Sequence, residues 1–115
     1  MALTQTRIVG PTTLGSTSAA IYSPTTGTII IKQIVLTNYS ASAATVDLWL
    51  LPASITTVAN GYLILKSFSL AAYETVFLNT SLVMVGNVST TGDRLHAVAS
   101  AATSVNVIMN GIVET

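Results

Sequence analysis

Residues 28–38 read Thr-Ile-Ile-Ile-Lys-Gln-Ile-Val-Leu-Thr-Asn, and this run decides the fold class. Most of its residues are β-branched, which favours an extended strand. Apart from Lys32 and Gln33, the run is apolar on both of its faces. A strand buried on both faces lies at the centre of a sheet or beneath a partner. The run therefore predicts a central β-strand.

Similar strand patterns flank this run, and turn residues separate them about every ten positions, as in sandwiches and barrels. Residues 52–60 fit either a loop or one short helical turn. Short connections favour antiparallel pairing, and the last two strands read as a hairpin. The fold class is therefore all-β: an antiparallel β-sandwich, jelly-roll-like or Ig-like, of about eight or nine short strands. Besides 28–38, strands are expected at residues 3–9, 19–23, 45–51, 62–70, 75–78, 82–85, 94–100 and 104–114.

The chain of 115 residues has the length of a single domain. It can bury about two-thirds of its unfolded surface, which is enough for one core. Residues 1–17 are expected to form an N-terminal strand or arm. Residues 18–115 are expected to form the β-sandwich domain, and the arm is a candidate for lying on a neighbouring subunit.

The chain is nearly uncharged: four basic and four acidic residues amount to 7%, while 50% of the residues are hydrophobic. Charged residues make up about a quarter of an ordinary soluble domain. Some apolar surface is therefore expected to face another protein chain. The scattered basic residues cannot neutralise a row of phosphates, so nucleic acid is not an expected partner. No apolar run approaches the about 20 residues of a membrane-spanning helix, so a membrane is not expected either.

Residues that could carry chemistry are few and separated. His96 is the single histidine, there is no cysteine, and no Gly-x-Ser-x-Gly elbow is present. The sequence therefore predicts a protein that is not an enzyme and has no metal and no cofactor. The four carboxylates lie one per segment, at Asp47, Glu74, Asp93 and Glu114.

Aromatic residues are the best candidates for contact with a partner, because Trp and Tyr are over-represented at binding hot spots. Strict alternation in 45–51 places Val46, Leu48 and Leu50 in the core and Asp47, Trp49 and Leu51 on the outer face. Trp49 is then either a contact residue or a cover for an edge of the core. Asp93 and Arg94 form either a solvated strand entrance or an ion pair with a neighbouring subunit. The candidate interface residues are Trp49, Tyr39, Tyr62, Tyr73, Asp93 and Arg94.

The order of motifs over residues 18–114 resembles the small β-sandwich virion structural proteins of tailed bacteriophages. The resemblance rests on Ala20-Ile21-Tyr22-Ser23-Pro24 followed by the 28–38 strand, Val46-Asp47-Leu48-Trp49, Leu70-Ala71-Ala72-Tyr73-Glu74-Thr75, Gly92-Asp93-Arg94-Leu95-His96-Ala97-Val98-Ala99-Ser100, Val105-Asn106-Val107 and Gly111-Ile112-Val113-Glu114.

This resemblance implies a non-enzymatic virion component that decorates or cements neighbouring subunits, in the head, at the head–tail junction or in the tail. The implied location is the virion. The implied partners are copies of the chain itself, in a homo-oligomer such as a trimer, and other capsid or tail subunits. The alternative is a receptor- or carbohydrate-binding β-sandwich of a tail fibre or adhesin.

Overall fold

The computed structural model describes residues 3–24, 27–52, 55, 57–86 and 92–114. These residues form eight strands and one 3-10 turn, the turn at Asn60–Tyr62, at the end of the segment for which the sequence left a loop or a helical turn open. The strands are β1 (Leu3–Thr13), β2 (Ala19–Tyr22), β3 (Thr28–Asn38), β4 (Ala44–Leu51), β5 (Leu63–Leu70), β6 (Thr75–Val85), β7 (Arg94–Ala99) and β8 (Val105–Glu114).

The strands form two four-stranded antiparallel sheets. Sheet I has the order β1-β8-β3-β6, and sheet II has the order β2-β7-β4-β5. Eight strands that alternate between two packed sheets in this order form a jelly roll. The predicted all-β antiparallel sandwich is confirmed, and the strand order identifies the jelly roll among the two expected variants.

Two predictions about individual strands are wrong. Residues 75–78 and 82–85 belong to one continuous strand, β6, since the polar residues between them keep the alternation of an extended chain. The expected terminal hairpin is absent, because β7 lies in sheet II and β8 in sheet I. In a jelly roll most connections cross between the sheets, and β4–β5 is the one consecutive pair joined directly among the described strands.

The central position predicted for 28–38 is confirmed: β3 pairs with β8 on one side and with β6 on the other. Its core-facing residues are Ile29 and Ile31, and then Ile34 and Leu36. The step from 31 to 34 changes the phase of alternation, because Lys32 is an extra residue in the register with β8. Such a β-bulge moves Lys32 into solvent while apolar residues on both sides of it remain buried.

The core lies between the sheets and is aliphatic. Burial of one Leu or Ile side chain contributes about 1.5–3 kcal/mol, so the core dominates the stability of the fold. The largest fully buried side chains are Leu14, Ile31, Leu36, Leu48, Leu51, Leu70, Met84, Leu95, Met109, Val46, Val105 and Val107.

The N-terminal strand lies within the sandwich. From Leu3 to Thr13, β1 pairs with β8 and forms an edge of sheet I. Its register with β8 shifts twice, between Arg7 and Val9 and between Val9 and Thr12. Residues 3–13 of the segment expected as an N-terminal strand or arm therefore form a strand in the sandwich of their own chain, and contact between this segment and a neighbour stays a proposal.

Asn38, at the end of β3, is fully buried and joins two loops. Its side-chain amide donates to the carbonyl of Ser42 at 2.8 Å and to that of Ala71 at 3.1 Å, with Leu70 O at 3.4 Å. Its side-chain oxygen accepts from the backbone and the hydroxyl of Ser40. The β3–β4 and β5–β6 connections are thus held together by one polar side chain.

Candidate interaction surfaces

The structure divides the candidate interface residues between opposite ends of the sandwich. Tyr39 and Tyr73 are both exposed and lie at the end organised by Asn38. Tyr39 N donates to Ser104 O, and Tyr73, which is 70% exposed, adopts a φ of 60° in the turn before β6. Trp49, Tyr62, Asp93 and Arg94 lie towards the other end. No single surface contains all six.

Trp49 has the predicted orientation, but little of it is exposed. Its partner across the register with β7 is His96, whereas Leu48 and Leu50, on either side of it, pack in or against the core. Trp49 is nevertheless only 8% exposed, and Leu51 is fully buried on the same outer face. Ile55, in the segment after β4, lies near this face, because its carbonyl accepts a hydrogen bond from the guanidinium of Arg94. As a contact candidate, Trp49 is therefore less accessible than Tyr39 or Tyr73.

Asp93 and Arg94 both form hydrogen bonds within the chain. The backbone N–H of Val85 donates to the Asp93 carboxylate at 3.0 Å, and Asp93 N donates to Val85 O at 3.1 Å. Together they tie the end of β6 to the start of β7. Arg94 is half-buried and holds the β4–β5 connection through Ile55. An ion pair between these residues and a neighbouring subunit stays a proposal.

His96 lies beside Arg94 and Trp49 on the covered face. Both imidazole nitrogens are buried and have no hydrogen-bond partner among the described residues. Burial lowers the pKa of His96 below its ordinary value of 6.5, and the nearby Arg94 charge lowers it further. The histidine is therefore neutral near pH 7.

Acidification is expected to destabilise the protein through His96. Above about pH 6.5 the imidazole is neutral in both the folded and the unfolded chain, and its contribution to stability is complete. As the pH falls from about 6.5 to the lowered pKa of His96 in the folded chain, the unfolded chain binds a proton that the folded chain does not, so the free energy of unfolding decreases. Urea unfolding at about pH 7.5 and about pH 5 should show a smaller loss for His96→Gln than for wild type. Equal losses of unfolding free energy in the two proteins would contradict a lowered pKa of His96 in the folded chain.

A surface that the sequence analysis missed lies on the outer face of sheet I. Phe77 is 63% exposed, and Val83 and Val85 project from the same strand on the same face; these three residues form the β6 patch. In the structure, exposed side chains alternate with half-buried or buried ones along the eleven residues of β6. The sequence does not show this alternation, because residues 76–78 and 82–85 are continuous apolar runs. The polar residues Asn79, Thr80 and Ser81 between these runs resemble a turn between two strands.

The outer face of sheet I continues the β6 patch in rows across the strands. Val35 and Ile108 continue the row of Phe77, while Ile30 and Ile112 continue the row of Val83. A polar row of Asn79, Gln33 and Asn110 separates them, in which Asn110 Nδ2 lies 3.2 Å from Gln33 Oε1. Lys32 carries a charge on this face and donates to Ser81 Oγ at 3.0 Å.

Depressions in the surface are shallow. One of about 460 Å³ lies over sheet I and is lined by residues such as Lys32, Asn110 and Ile112. Another depression, of about 230 Å³, is lined in part by Asp47. The carboxylate of Asp47 already accepts a hydrogen bond from Ser67 N and forms an ion pair with Lys66. Over the described ranges, no group of three potential metal ligands comes together. In the same ranges no helix is long and apolar enough to cross a membrane.

Comparison with known proteins finds similarity in solved structures alone: no family model and no curated protein sequence matches the chain. A structure of the infectious bursal disease virus Gx strain has a TM-score of 0.53 at 10% identity, over 95% of this chain and 32% of that chain. The structure of the infectious bursal disease virus VP2 subviral particle has a TM-score of 0.53 at 12% identity, over 96% of this chain and 31% of that chain. The structure of the T13 IBDV viral particle has a TM-score of 0.54 at 8% identity, over 96% of this chain and 30% of that chain.

The chain spans about a third of the length of these viral chains. At this level of identity the similarity shows a shared fold. The neighbours are components of virus particles, and the shared unit is the two-sheet sandwich described above.

Proposed function

We propose that this chain is a virion structural protein, a jelly-roll subunit that assembles with copies of itself and with other shell or tail proteins. The observation that carries the proposal is the exposed, almost uncharged outer face of sheet I on a fold shared with proteins of virus particles. It has no catalytic role in this proposal, and the aromatic residues Tyr39 and Tyr73 are further contact candidates.

The composition supports assembly on physical grounds. A charge buried at an interface costs several kcal/mol unless it is well paired. A surface with few charges can therefore bind another surface with a small desolvation penalty. Zero formal net charge at pH 7 also removes the repulsion that keeps copies apart. At about 25 cal/mol per Å² of apolar area, an interface of standard size gains more from apolar burial than from a few exposed ion pairs.

The finer assignment follows the sequence resemblance. We propose a decoration, head–tail or tail component of a tailed bacteriophage, present on the particle as a homo-oligomer. The viral neighbours support a role in a particle, and the motifs between residues 20 and 114 support the phage assignment.

The receptor- or carbohydrate-binding alternative has one observation in its favour. Tyr39 and Tyr73 are exposed on connections at the same end of the sandwich, where aromatic rings could stack on sugar rings. Sugar binding on a glycan array that is lost in Tyr73→Ala would favour this alternative over assembly.

The proposal predicts self-association of the purified protein. Light scattering after size exclusion should give a mass above the 11.9 kDa of one chain, rising with protein concentration. Added salt should leave the association intact, because the expected surface is apolar and salt screens ion pairs. A monodisperse 11.9 kDa species at every concentration would contradict the proposal.

A further inference from the structure

The free edges of the two sheets are protected unequally. A strand edge exposes unpaired N–H and C=O groups, which natural proteins shield with charges, prolines, bulges or short length. Edge strand β1 contains Arg7 and Pro11 and two register shifts. Edge strand β2 has four residues, and β5 contains Lys66 beside Ser67, whose φ is 49°. β6 has eleven residues without a charge or a proline, and its register with β3 shifts once, opposite Lys32.

The open part of this edge is bounded by Asp93. Both backbone groups of Val85 are bonded to Asp93, so they point away from β3 and are already satisfied. Because alternate residues of a strand point the same way, Phe77 and Val83 direct their backbone groups to the same open side. Val76–Met84 is therefore the stretch available for a further strand.

This stretch has the same chemical pattern in both directions. Around Thr80, an antiparallel copy would pair Asn79 with Ser81, Leu78 with Leu82, Phe77 with Val83 and Val76 with Met84. Polar residues meet polar ones and apolar residues meet apolar ones, on both faces of the sheet. The neighbouring allowed register, one residue toward the N-terminus, would pair Phe77 with Ser81 and Thr75 with Val83. A self-complementary pattern is what an interface between identical subunits about a two-fold axis requires.

We infer that β6 pairs with β6 of a second copy about a two-fold axis near Thr80, joining the two copies of sheet I into one eight-stranded sheet. This inference rests on the proposed function, for which it names the partner and the contact. It explains why the β6 patch is apolar: Phe77 of each copy covers Val83 of the other. It also explains why the inward side chains Val76, Leu78 and Leu82 are only half-buried in the isolated chain.

The contact is large enough for a dimer. Nine paired residues extend about 30 Å, and over the 19 Å thickness of the sandwich they cover on the order of 600 Å² per copy. Stable interfaces begin near about 600 Å² per partner. Lys32, bonded to Ser81, stays on the outer face, where water still reaches its charge.

Substitution of the β6 patch tests the contact. Phe77→Lys and Val83→Lys should each weaken dimerisation by roughly 30-fold or more, since each dimer contains the change twice. Leu3→Lys is the matched control, because Leu3 is 65% exposed on the opposite edge of sheet I, and it should leave dimerisation unchanged. Sedimentation over a wide concentration range gives the dissociation constants, and thermal unfolding verifies that each variant is folded.

Cysteine cross-linking tests the register in a chain that contains no native cysteine. Directly opposed residues of antiparallel strands have Cα atoms about 4.5–5.5 Å apart, within the range that a disulfide bridges. A mixture of the Phe77→Cys and Val83→Cys proteins should form disulfide-linked dimers under mild oxidation. Either protein alone, or Leu3→Cys mixed with Val83→Cys, should form few.

The outcomes separate this inference from the proposed function. Wild-type protein that remains a monomer contradicts both. Wild-type protein that self-associates, with lysine variants that associate equally well and no specific cross-link between residues 77 and 83, contradicts the β6 contact and leaves the proposed function standing.

Discussion

Asn38→Ala is expected to lower the free energy of unfolding by about 3 kcal/mol or more, a large part of the about 5–15 kcal/mol that stabilises a domain. The substitution removes the bonds of a fully buried amide to the carbonyls of Ser42 and Ala71, and it takes the acceptor from the backbone N–H of Ser40. The two carbonyls keep one donor each, the hydroxyl of Ser40 and the N–H of Glu74. A hydrogen bond of this kind contributes about 0.5–1.5 kcal/mol, so the loss of several at one buried side chain amounts to about 3 kcal/mol. Urea unfolding followed by Trp49 fluorescence measures the change.

Asn106→Ala is the matched control for this substitution. Asn106 lies on the outer face of sheet I and accepts a bond from the exposed hydroxyl of Thr13 at 2.8 Å. Water replaces such a partner, so the loss should stay below about 1 kcal/mol. Similar losses for the two variants would show that the Asn38 contacts do not hold the loops together.

Gly111→Ala is expected to destabilise the protein by about 3 kcal/mol or more. A Cβ atom at this position in β8 would collide with the carbonyl oxygen of Ile30 and would approach the Ile31 Cα to 3.1 Å. These are backbone atoms of the central strand, so relief requires β3 and β8 to separate next to the bulge at Lys32. Overpacking of a core typically costs about 1–3 kcal/mol, and a rigid backbone obstacle places this variant at the upper end.

Gly61→Ala provides the comparison for Gly111→Ala. No atom lies within 4 Å of a Cβ built at Gly61. The alanine chain loses less conformational entropy on folding, so this variant should be as stable as wild type or slightly more stable. Thermal unfolding of both variants measures the difference. A Gly111→Ala protein with wild-type stability would show that β3 does not lie against Gly111 as described.

The sequence predicted those parts of the fold that depend on local pattern. The β-branched run at 28–38 is the central strand, and the alternation at 45–51 gave the correct faces for Leu48 and Trp49. It could not predict that Trp49 is buried, because the segment after β4 has no periodic pattern of its own. Burial of Trp49 depends on a loop position that tertiary structure determines.

Local sequence patterns could not predict which connections cross from one sheet to the other. A short link such as residues 100–104 serves equally well within a hairpin or between two sheets, so the separation of β7 from β8 could not be read from the chain. Asn38 likewise appeared as the polar end of a strand, since its partners lie up to 33 residues away. The β6 patch could not be predicted either, because residues 76–78 and 82–85 are apolar throughout and do not indicate which side chains face outward.

The antiparallel pairing of β1 with β8 places Leu3 directly opposite Glu114. Fluorescent labels attached at Leu3 or at Glu114 would therefore leave from one end of sheet I, where Thr28 and Val85 also lie. Tyr39 and Tyr73 lie at the opposite end of the sandwich, near Asn38. A bulky label at either position thus crowds one extremity of the domain and leaves the other accessible, so the two labelling positions are equivalent and the length of the linker decides how far the label reaches.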